Sequence, residues 1–438
     1  MTSRPVVRPT PLTLGLFAGC IPLTALLTDG GLWPLALLAP TATLALALVD
    51  LLRALPAKGL AASLTLPSLV YVGLTAEATV KLSAAWPMAT RVFGLIEAKG
   101  PLAAQAGLSA ELREGQGSLT IPFRGERRGL IEVEALWLRW RGPLGLVEIR
   151  ARRPLRLTTA VSQNVHGLHR DTIKFLNRDA ALGSRQSPFR GEGTEFECLT
   201  EFSFGMDPRT IDWKRSGRHH KLLAREYREE RNNLIVFGFD TGRLMLERVG
   251  GTTKLDLFVA AALRLGWVSL KHGDLVGGCG YALTFQSFLK PGRGPKFFAR
   301  LQAFTAALGY QKEETNHALA LSELMGRLRR RALIVLFTEF IDDVSAELLL
   351  ESLALLTKRH AVVFVTMEDP ALSRLRAARP KSLTAVASAV LADDFATNRE
   401  IVLNRVRRLG AHCLDSPAGQ LAGRLIDRYL TIKRRGLL

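Results

Sequence analysis

Pairs of oxygen-bearing side chains follow three apolar runs in the second half of the chain. The pairs are Asp240-Thr241, Thr338-Glu339 and Glu368-Asp369. If each run is a parallel strand, the pairs lie at the carboxyl edge of one sheet, where such sheets bind ligands. Carboxylate and hydroxyl oxygens are the ligands that a hard cation such as Mg²⁺ prefers. The same residue types also cap turns and helices, so both interpretations stand at this point.

A second group of chemically capable residues precedes the first apolar run. It combines the acids Asp207 and Asp212 with Arg209 and Trp213. Arginine forms paired hydrogen bonds with carboxylates, and a buried tryptophan can anchor a loop. These properties favour a structural clasp between two parts of the chain. The alternative is a docking surface for a partner, because tryptophan and arginine carry much of the binding energy at interfaces.

The familiar enzyme signatures are absent from the sequence. It contains no GxSxG, GxxxxGK[ST], GxGxxG or HExxH motif. The four cysteines include no CxxC pair, so we expect neither a zinc finger nor a disulfide framework. We therefore expect a protein that is not an enzyme and has no small-molecule substrate.

Residues 234–438 have the pattern of an α/β domain. The runs Leu234–Phe239, Leu333–Phe337 and Ala361–Val365 are apolar at every position, as in strands buried on both faces of a parallel sheet. Helical periodicity occurs in Leu255–Leu270, Ala346–Thr357 and Asn398–Leu409. Alternation of this kind predicts a doubly wound, mostly parallel sheet.

Residues 11–53 predict a transmembrane helical hairpin. The apolar runs Leu12–Leu27 and Leu32–Val49 carry no charge and are joined by a short polar turn. The second run is long enough to span a bilayer, whereas the first needs help from its flanks. Basic residues flank the pair on both outer sides: Arg4, Arg8, Arg53 and Lys58. The positive-inside rule then predicts a two-pass protein of the bacterial inner membrane, with residues 1–10 as a cytoplasmic tail and the large C-terminal part in the cytoplasm.

Residues 60–160 read as a β module. Short runs rich in β-branched residues alternate with glycine and proline turns, which predicts a small antiparallel β-sandwich. The run Gly129–Trp140 fits imperfectly, because a strict alternation places Glu132 and Glu134 on the same face as Leu136 and Leu138.

A basic connector, residues 161–233, separates this module from the α/β domain. The whole chain has a formal net charge of +19, which indicates either an anionic partner or only a solvated basic surface. Nucleic acid is not expected, because the connector has neither interleaved aromatic residues nor a recognisable reading motif. Anionic lipid head groups of the membrane, or an acidic protein, are the expected partners.

Three features in order resemble the bacterial family called domain of unknown function 58. They are Gly193-Thr194-Glu195-Phe196, then Gly205-Met206-Asp207-Pro208-Arg209-Thr210-Ile211-Asp212-Trp213, then a strand that ends at Asp240. Arg128-Gly129, Gly142-Pro143-Leu144-Gly145-Leu146 and Gly273-Asp274-Leu275-Val276-Gly277 are similar to further marks of the family. The resemblance implies two transmembrane helices, a β module and a von Willebrand A-like domain. It also implies work alongside a MoxR-type AAA+ ATPase. The residues assigned to a clasp or docking site are Glu195, Phe196, Gly205, Asp207, Arg209, Asp212, Trp213 and Arg225.

The metal site that the resemblance implies departs from its pattern. Von Willebrand A domains hold a divalent cation through D-x-S-x-S, whereas this chain has Asp240-Thr241-Gly242-Arg243-Leu244. Both serines are missing, and Arg243 adds a positive charge. We therefore expect a degenerate site at Asp240, Thr338 and Glu339, and no cofactor.

Three hypotheses of function follow. The first is a non-enzymatic, membrane-tethered adaptor or scaffold that works with the ATPase, like a chaperone, in assembly or maturation of protein complexes. The alternative is a metal-dependent ligand-binding or adhesion domain of the von Willebrand A type, with Mg²⁺ as its ion. The third is a hydrolase with an unfamiliar site.

Overall fold

The structure is a computed structural model. It describes residues 5–29, 37–84, 90–103, 108–164, 195–203, 206–219, 221–228, 233–340, 343–377 and 382–436. Its contacts divide the chain into two units. The N-terminal unit comprises Met1–Asn164 with Gln302–Gly309, and the C-terminal unit comprises Val165–Leu301 with Tyr310–Leu438.

Two apolar helices lie near the start of the chain, α1 (Pro11–Asp29) and α2 (Leu38–Arg53). The run Leu38–Gly59 is, among the described residues, the one long and apolar enough to cross a membrane. Its mean hydropathy is 1.6, and 17% of it is buried. The helix α1 contains Pro22, and its apolar part Pro11–Pro22 is shorter. Most of the predicted connection between the two helices lies outside the described residues.

The end of α2 is fastened to the β module by a buried carboxylate. Asp50 is fully buried and accepts hydrogen bonds from the backbone N–H groups of Leu144 (2.7 Å), Leu146 (2.8 Å) and Val147 (2.9 Å). A Cβ atom at Gly142 would lie 2.4 Å from Asp50 Oδ1, so this position has room only for glycine. The same loop accepts hydrogen bonds from the hydroxyl groups of Thr10, at the start of α1, and Thr13. One loop therefore holds the ends of both helices.

The described residues of the N-terminal unit form two β-sheets. In the larger sheet the strand order is β1-β9-β8-β5-β6 with β3 beside β9, and in the smaller it is β2-β4-β7. Their strands are β1 (Val6–Pro9), β2 (Leu60–Thr65), β3 (Leu69–Tyr71), β4 (Thr75–Ala84), β5 (Thr90–Lys99), β6 (Leu108–Leu112), β7 (Gln116–Arg124), β8 (Gly129–Arg141) and β9 (Val147–Ser162). All pairs are antiparallel except β3 with β9. Strand β1 lies in the stretch that the sequence predicts to be a cytoplasmic tail.

The imperfect alternation of β8 has a physical cause. The register of β8 against β9 shifts between Val133 and Ala135. Ile131 and Val133 are buried before the shift, and Leu136, Leu138 and Trp140 are buried after it. A β-bulge changes which face successive side chains occupy. Exposed Glu132 and half-buried Glu134 therefore need not share a face with the two buried leucines.

The rest of the chain is a mixed α/β structure. Its strands are β10 (Glu195–Glu201), β11 (Leu223–Arg228), β12 (Leu234–Asp240), β13 (Arg248–Val249), β14 (Thr252–Thr253), β15 (Leu275–Tyr281), β16 (Phe285–Gly292), β17 (Leu333–Phe337), β18 (Ala361–Met367) and β19 (His412–Ser416). Its helices are α3 (Trp213–His219), α4 (Lys254–Lys271), α5 (Pro295–Ala307), α6 (His317–Arg327), α7 (Asp343–Thr357), α8 (Pro370–Ala377), α9 (Leu383–Arg408) and α10 (Leu421–Arg434).

A six-stranded sheet of order β16-β15-β12-β17-β18-β19 forms the centre of the C-terminal unit, and all its pairs are parallel except β15 with β16. One set of strand side chains, including Val236 and Leu336, shares a core with residues of α6, α7 and α9. The alternate set carries Phe239 and Phe337, whose rings stack at 5.2 Å, and Phe258 of α4 lies 5.5 Å from Phe337. Strands apolar at every position thus serve two cores.

Candidate functional site

Asp240 ends the central strand β12 with both carboxylate oxygens occupied by protein donors. Oδ1 accepts hydrogen bonds from Gly242 N at 2.9 Å and Thr315 Oγ1 at 2.6 Å, and Oδ2 accepts one from Thr338 Oγ1 at 2.7 Å. The carboxyl edge therefore brings Asp240 and Thr338 together, as the sequence predicts. Thr315 comes from the segment before α6, and no pattern in the sequence indicates it.

Glu339, next to Thr338 in the chain, bonds to different partners. Its Oε1 accepts a hydrogen bond from Met367 N at 2.8 Å, and its Oε2 lies 3.4 Å from Lys254 Nζ and 3.2 Å from Arg399 Nη1. Lys254 Nζ also lies 2.6 Å from Glu247 Oε2. Lys254 and Glu339 are both buried, so this is a charge network inside the protein.

The positive charges of this network are strongly held. Burial lowers the pKa of Lys254, but the attraction of Glu339 and the contacts with Glu247 outweigh it, and the pKa is raised. Burial likewise opposes the charge on Arg399, yet Glu339 and Asp415 raise its pKa. Arg399 Nη2 lies 3.1 Å from Asp415 Oδ1 and donates to Met367 O at 3.0 Å. Both side chains therefore remain cationic.

This arrangement fits a divalent cation poorly. The hydroxyl groups of Thr315 and Thr338 already donate to Asp240, and a cation would have to displace these hydrogen bonds. Glu339, the other acid of the predicted site, is neutralised by Lys254 and Arg399. Among the residues that the structure describes, no group of three or more His, Cys, Asp or Glu side chains is placed to hold a metal ion.

A cavity of about 250 Å³ lies beside the network. Its lining includes Glu247, Lys254, Glu339, Phe340, Asn398 and Arg399. Asp369 also lines this cavity and accepts a hydrogen bond from Ala371 N at 2.7 Å, whereas Glu247, Lys254, Glu339 and Arg399 are paired within the network.

Two further buried groups of the C-terminal unit, His317 and Cys279, have shifted pKa values. His317 is buried with its ring 6.0 Å from that of Tyr281; burial lowers the pKa of His317, and the charge of Asp240 partly offsets this. Cys279 is fully buried, and burial raises the pKa of its thiol to about 12. A thiol with this pKa supplies no thiolate nucleophile at neutral pH.

The hallmark segment folds as a hairpin of β10 and β11. Glu195 and Phe196 lie on β10 opposite Arg228 and Tyr227, and Gly205 lies outside the described residues. The connection between the strands contains a 3₁₀ turn, Pro208–Thr210, and the short helix α3.

Two aspartates shape this connection. Asp207 is the N-cap of the 3₁₀ turn, and its Oδ1 accepts from Arg209 N at 2.9 Å. Asp212 accepts from Arg215 N at 3.1 Å and from Arg225 Nε at 3.1 Å, and these contacts hold its pKa below the ordinary value. The predicted arginine–carboxylate pair therefore exists, but Arg225 makes it, and the side chain of Arg209 is exposed.

Trp213 is not the buried anchor that the sequence favours. It is the first residue of α3, and 70% of it is exposed. The reason is local: α3 is short and turns Asp212 and Ser216 inward, where they bond to β11, so its first residue faces outward. Exposed basic residues surround it in the sequence: Arg209, Lys214, Arg218 and Lys221. The connection between β10 and β11 therefore carries an exposed indole together with several exposed basic side chains.

Comparison with known proteins gives one family and several weak structural similarities. No curated protein matches the chain. A crystal structure of the conserved hypothetical protein BatB from Bacteroides thetaiotaomicron is 12% identical, with a TM-score of 0.32, covering 46% of this chain and 99% of that one. An uncharacterised membrane-spanning protein from Vibrio fischeri is 11% identical, with a TM-score of 0.16, covering 45% of this chain and 96% of that one. The structure of native α-2-macroglobulin from Escherichia coli, from domain MG7 to the C-terminus, is 20% identical, with a TM-score of 0.20. The match covers 25% of this chain and 17% of that one.

The family match lies on the segment that carries the hallmark hairpin and most of the sheet. Residues 199–389 match the model described as "Protein of unknown function DUF58". The family resemblance predicted from the sequence is therefore confirmed for this part of the chain.

Proposed function

We propose that this chain is a non-enzymatic, membrane-tethered adaptor that works with a MoxR-type AAA+ ATPase in assembly or maturation of protein complexes. The observation that carries the proposal is the exposed Trp213 on a basic hairpin. Tryptophan is enriched among the residues that dominate interfaces, so an indole with 70% of its surface in solvent, close in sequence to basic side chains, is a candidate contact for a partner. The choice of a MoxR-type partner rests on the family.

The tether rests on the apolar helices. The run Leu38–Gly59 has the length and composition of a membrane span, and leucines of α2 such as Leu44, Leu46 and Leu48 are exposed. We propose that α1 and α2 cross the membrane as a hairpin and that both outer ends lie in the cytoplasm, because Arg8 and Arg53 flank the pair. The loop fastened by Asp50 would then lie at the cytoplasmic surface.

For the C-terminal unit we propose a von Willebrand A-like sheet whose metal site has been replaced by internal charge pairs. The strand order and the position of Asp240 support this interpretation. The alternative function is a metal-dependent ligand-binding or adhesion domain. It is disfavoured because the carboxylate of Glu339 is already ion-paired with Lys254 and Arg399. In the proposed adaptor the sheet is a scaffold that presents other surfaces.

The experiment that tests the proposal is capture of the tagged full-length chain from crosslinked bacterial membranes, followed by mass spectrometry. We expect an AAA+ ATPase among the crosslinked proteins. Its absence, with the chain itself recovered from the membrane fraction, would contradict the proposal.

A further inference from the structure

The turn between β8 and β9 exposes a leucine beside the ends of both apolar helices. Leu144 donates its backbone N–H to Asp50 Oδ1 at 2.7 Å, so the last turn of α2 fixes its position. The side chain of Leu144 is nevertheless 48% exposed. Leu52, on the same last turn of α2, is 75% exposed. Two aliphatic side chains therefore remain uncovered where the helices meet the β module.

Arginine side chains border this turn. Arg141 ends β8 directly before the turn, Arg8 lies on β1 three residues before α1, and Arg53 ends α2. The strand register places Arg8 and Arg141 on either side of Glu148, so their backbones lie two strand spacings, roughly 10 Å, apart. All three arginines are exposed, and none forms an ion pair with another residue that the structure describes.

The acidic side chains at this end of the sheet do not cancel these charges. Asp50 is buried, and the hydrogen bonds given for it come from backbone N–H groups. Glu148 is also buried, and it is ion-paired with Arg150 at 2.7 Å and Arg139 at 3.8 Å. At the β6 edge, two exposed acids are matched by two arginines: Glu111 and Glu114, with Arg91 and Arg113. The turn therefore keeps an excess of arginine.

An excess of arginine beside exposed leucines matches the chemistry of an anionic bilayer surface. The guanidinium group binds phosphate through paired hydrogen bonds. An aliphatic side chain gains free energy where head groups meet acyl chains. The proposed membrane hairpin brings a lipid surface to this place, because Asp50 holds the turn against the last turn of α2. Charge and position together favour lipid as the occupant.

We propose that residues 142–146 lie in the head-group region of the membrane. Leu144 enters the boundary with the acyl chains, and Arg8, Arg53 and Arg141 bind the phosphates of anionic lipids. This inference rests on the proposed membrane tether and adds a lipid site to it. The site holds the β module against the bilayer, in addition to the two helices that anchor it.

The first test measures the lipid selectivity of the full-length chain in phosphatidylcholine vesicles by electron paramagnetic resonance. Trace spin-labelled phosphatidylglycerol or phosphatidylcholine reports the lipid that the protein holds. We expect the unsubstituted chain to hold phosphatidylglycerol at least about threefold more strongly. Glutamine at positions 8, 53 and 141 together should abolish this preference, whereas lysine at the same positions should retain part of it. The matched control replaces exposed arginines of the same unit away from the turn and should retain it fully: Arg124→Gln, Arg127→Gln and Arg156→Gln.

The second test photocrosslinks the turn in vesicles that contain both lipids. The residue p-benzoylphenylalanine replaces Leu144 or, as the matched control, Leu130, which is 40% exposed near the start of β8. Mass spectrometry counts the lipid adducts. We expect adducts at position 144 to exceed those at position 130 at least about fivefold, because the turn reaches the bilayer and the opposite end of β8 does not.

Three results would overturn the proposal. Equal retention of the two spin-labelled lipids by the unsubstituted chain shows that no anionic-lipid site exists. Loss of the preference with inorganic phosphate, but not with chloride at equal ionic strength, assigns the arginines to free phosphate. Equal lipid adducts at positions 144 and 130, or adducts at position 144 to a second copy of the chain, show that lipid does not cover the turn.

Failure of the tether is distinguishable from failure of this site. If the helices do not span the membrane, alkaline extraction releases the chain from the vesicles. If the tether is right and the lipid site is wrong, the chain stays embedded and shows no preference for phosphatidylglycerol.

Discussion

At the residue scale, Asp240 is held by three donors that come from separate parts of the chain. Gly242 N, Thr315 Oγ1 and Thr338 Oγ1 converge on one buried carboxylate. This makes Asp240 a link between the central strand and two loops. The neighbouring Glu339 carries a negative charge that a metal ion could balance. Lys254 and Arg399 balance it instead.

We predict that Asp240→Ala lowers the free energy of unfolding by about 1–3 kcal/mol, because the substitution leaves buried donors without an acceptor. Chemical denaturation of the chain in detergent measures the change, with the exposed Asp394→Ala as the matched control. Isothermal titration with Mg²⁺ or Mn²⁺ should give no binding heat in the unsubstituted chain. Binding heat that disappears in Asp240→Ala would contradict a structural role and restore the metal hypothesis.

His317 makes the stability of the same region depend on pH. Its pKa is lowered by burial, so the folded state prefers the neutral ring more than the unfolded state does. The corresponding stability is present above about pH 6.5, the ordinary pKa of histidine, and is lost as the pH falls below it toward the folded-state pKa. We expect His317→Gln to flatten the decline of unfolding free energy below that pH. His219→Gln, at an exposed histidine, should leave the slope of the unsubstituted chain unchanged, and equal slopes in all three proteins would refute the role of His317.

At the element scale, the ends of α1 and α2 are fixed by one loop of the β module. Asp50 is the central residue, because its carboxylate accepts three backbone N–H groups of the segment 144–147. A lone acid at the end of an apolar run is the sequence signal for such a contact. The signal does not identify the partner, because the partner loop lies far along the chain.

We predict that Asp50→Ala destabilises the N-terminal unit by about 3 kcal/mol or more, since several buried N–H groups lose a charged acceptor together. Asp50→Asn should cost less, because the amide oxygen remains an acceptor. Thermal unfolding in detergent, with exposed Leu52→Ala as the control, measures the difference. If Asp50→Ala unfolds at the same temperature as the control, the carboxylate does not fasten the helix.

The elements that the sequence predicts well are those with one dominant pattern. The apolar runs that begin at Leu234, Leu333 and Ala361 are strands. They are short and apolar at every position, which is typical of strands buried on both faces of a sheet. Helix α9 begins at Leu383 rather than Asn398, because its first turns lack a core-facing stripe and mix exposed apolar residues with polar ones. The sequence does not indicate the antiparallel strand β16 for a similar reason: it is an edge strand with few fully buried residues.

The sequence predicts the candidate site only where its residues directly follow predicted strands. Asp240 and Thr338 follow predicted strands, and strand adjacency places them together. Lys254 and Arg399 lie on helices. In the sequence of a helix, a buried lysine or arginine looks the same as an exposed one, so their pairing with Glu339 could not be predicted. The size of Trp213 favours burial, but its exposure depends on the orientation of α3, which composition does not encode.

At the scale of the whole molecule, the proposed adaptor has a membrane tether and an exposed surface around Trp213. That surface combines an exposed indole with exposed basic side chains. Aromatic and arginine side chains suit a protein interface. The net charge of +19 is consistent with an anionic partner.

The most direct test of the proposed function is the amount of AAA+ ATPase that crosslinks to the tagged chain in membranes, compared between Trp213→Ala and the unsubstituted chain. If the exposed indole is a main contact, its loss should reduce the recovered ATPase about tenfold or more, as expected for a dominant interface tryptophan. Trp137→Ala, at another surface tryptophan, is the matched control and should recover as much ATPase as the unsubstituted chain. Equal recovery by Trp213→Ala and the control, or no ATPase with any of the three proteins, would contradict the adaptor role proposed for the Trp213 surface.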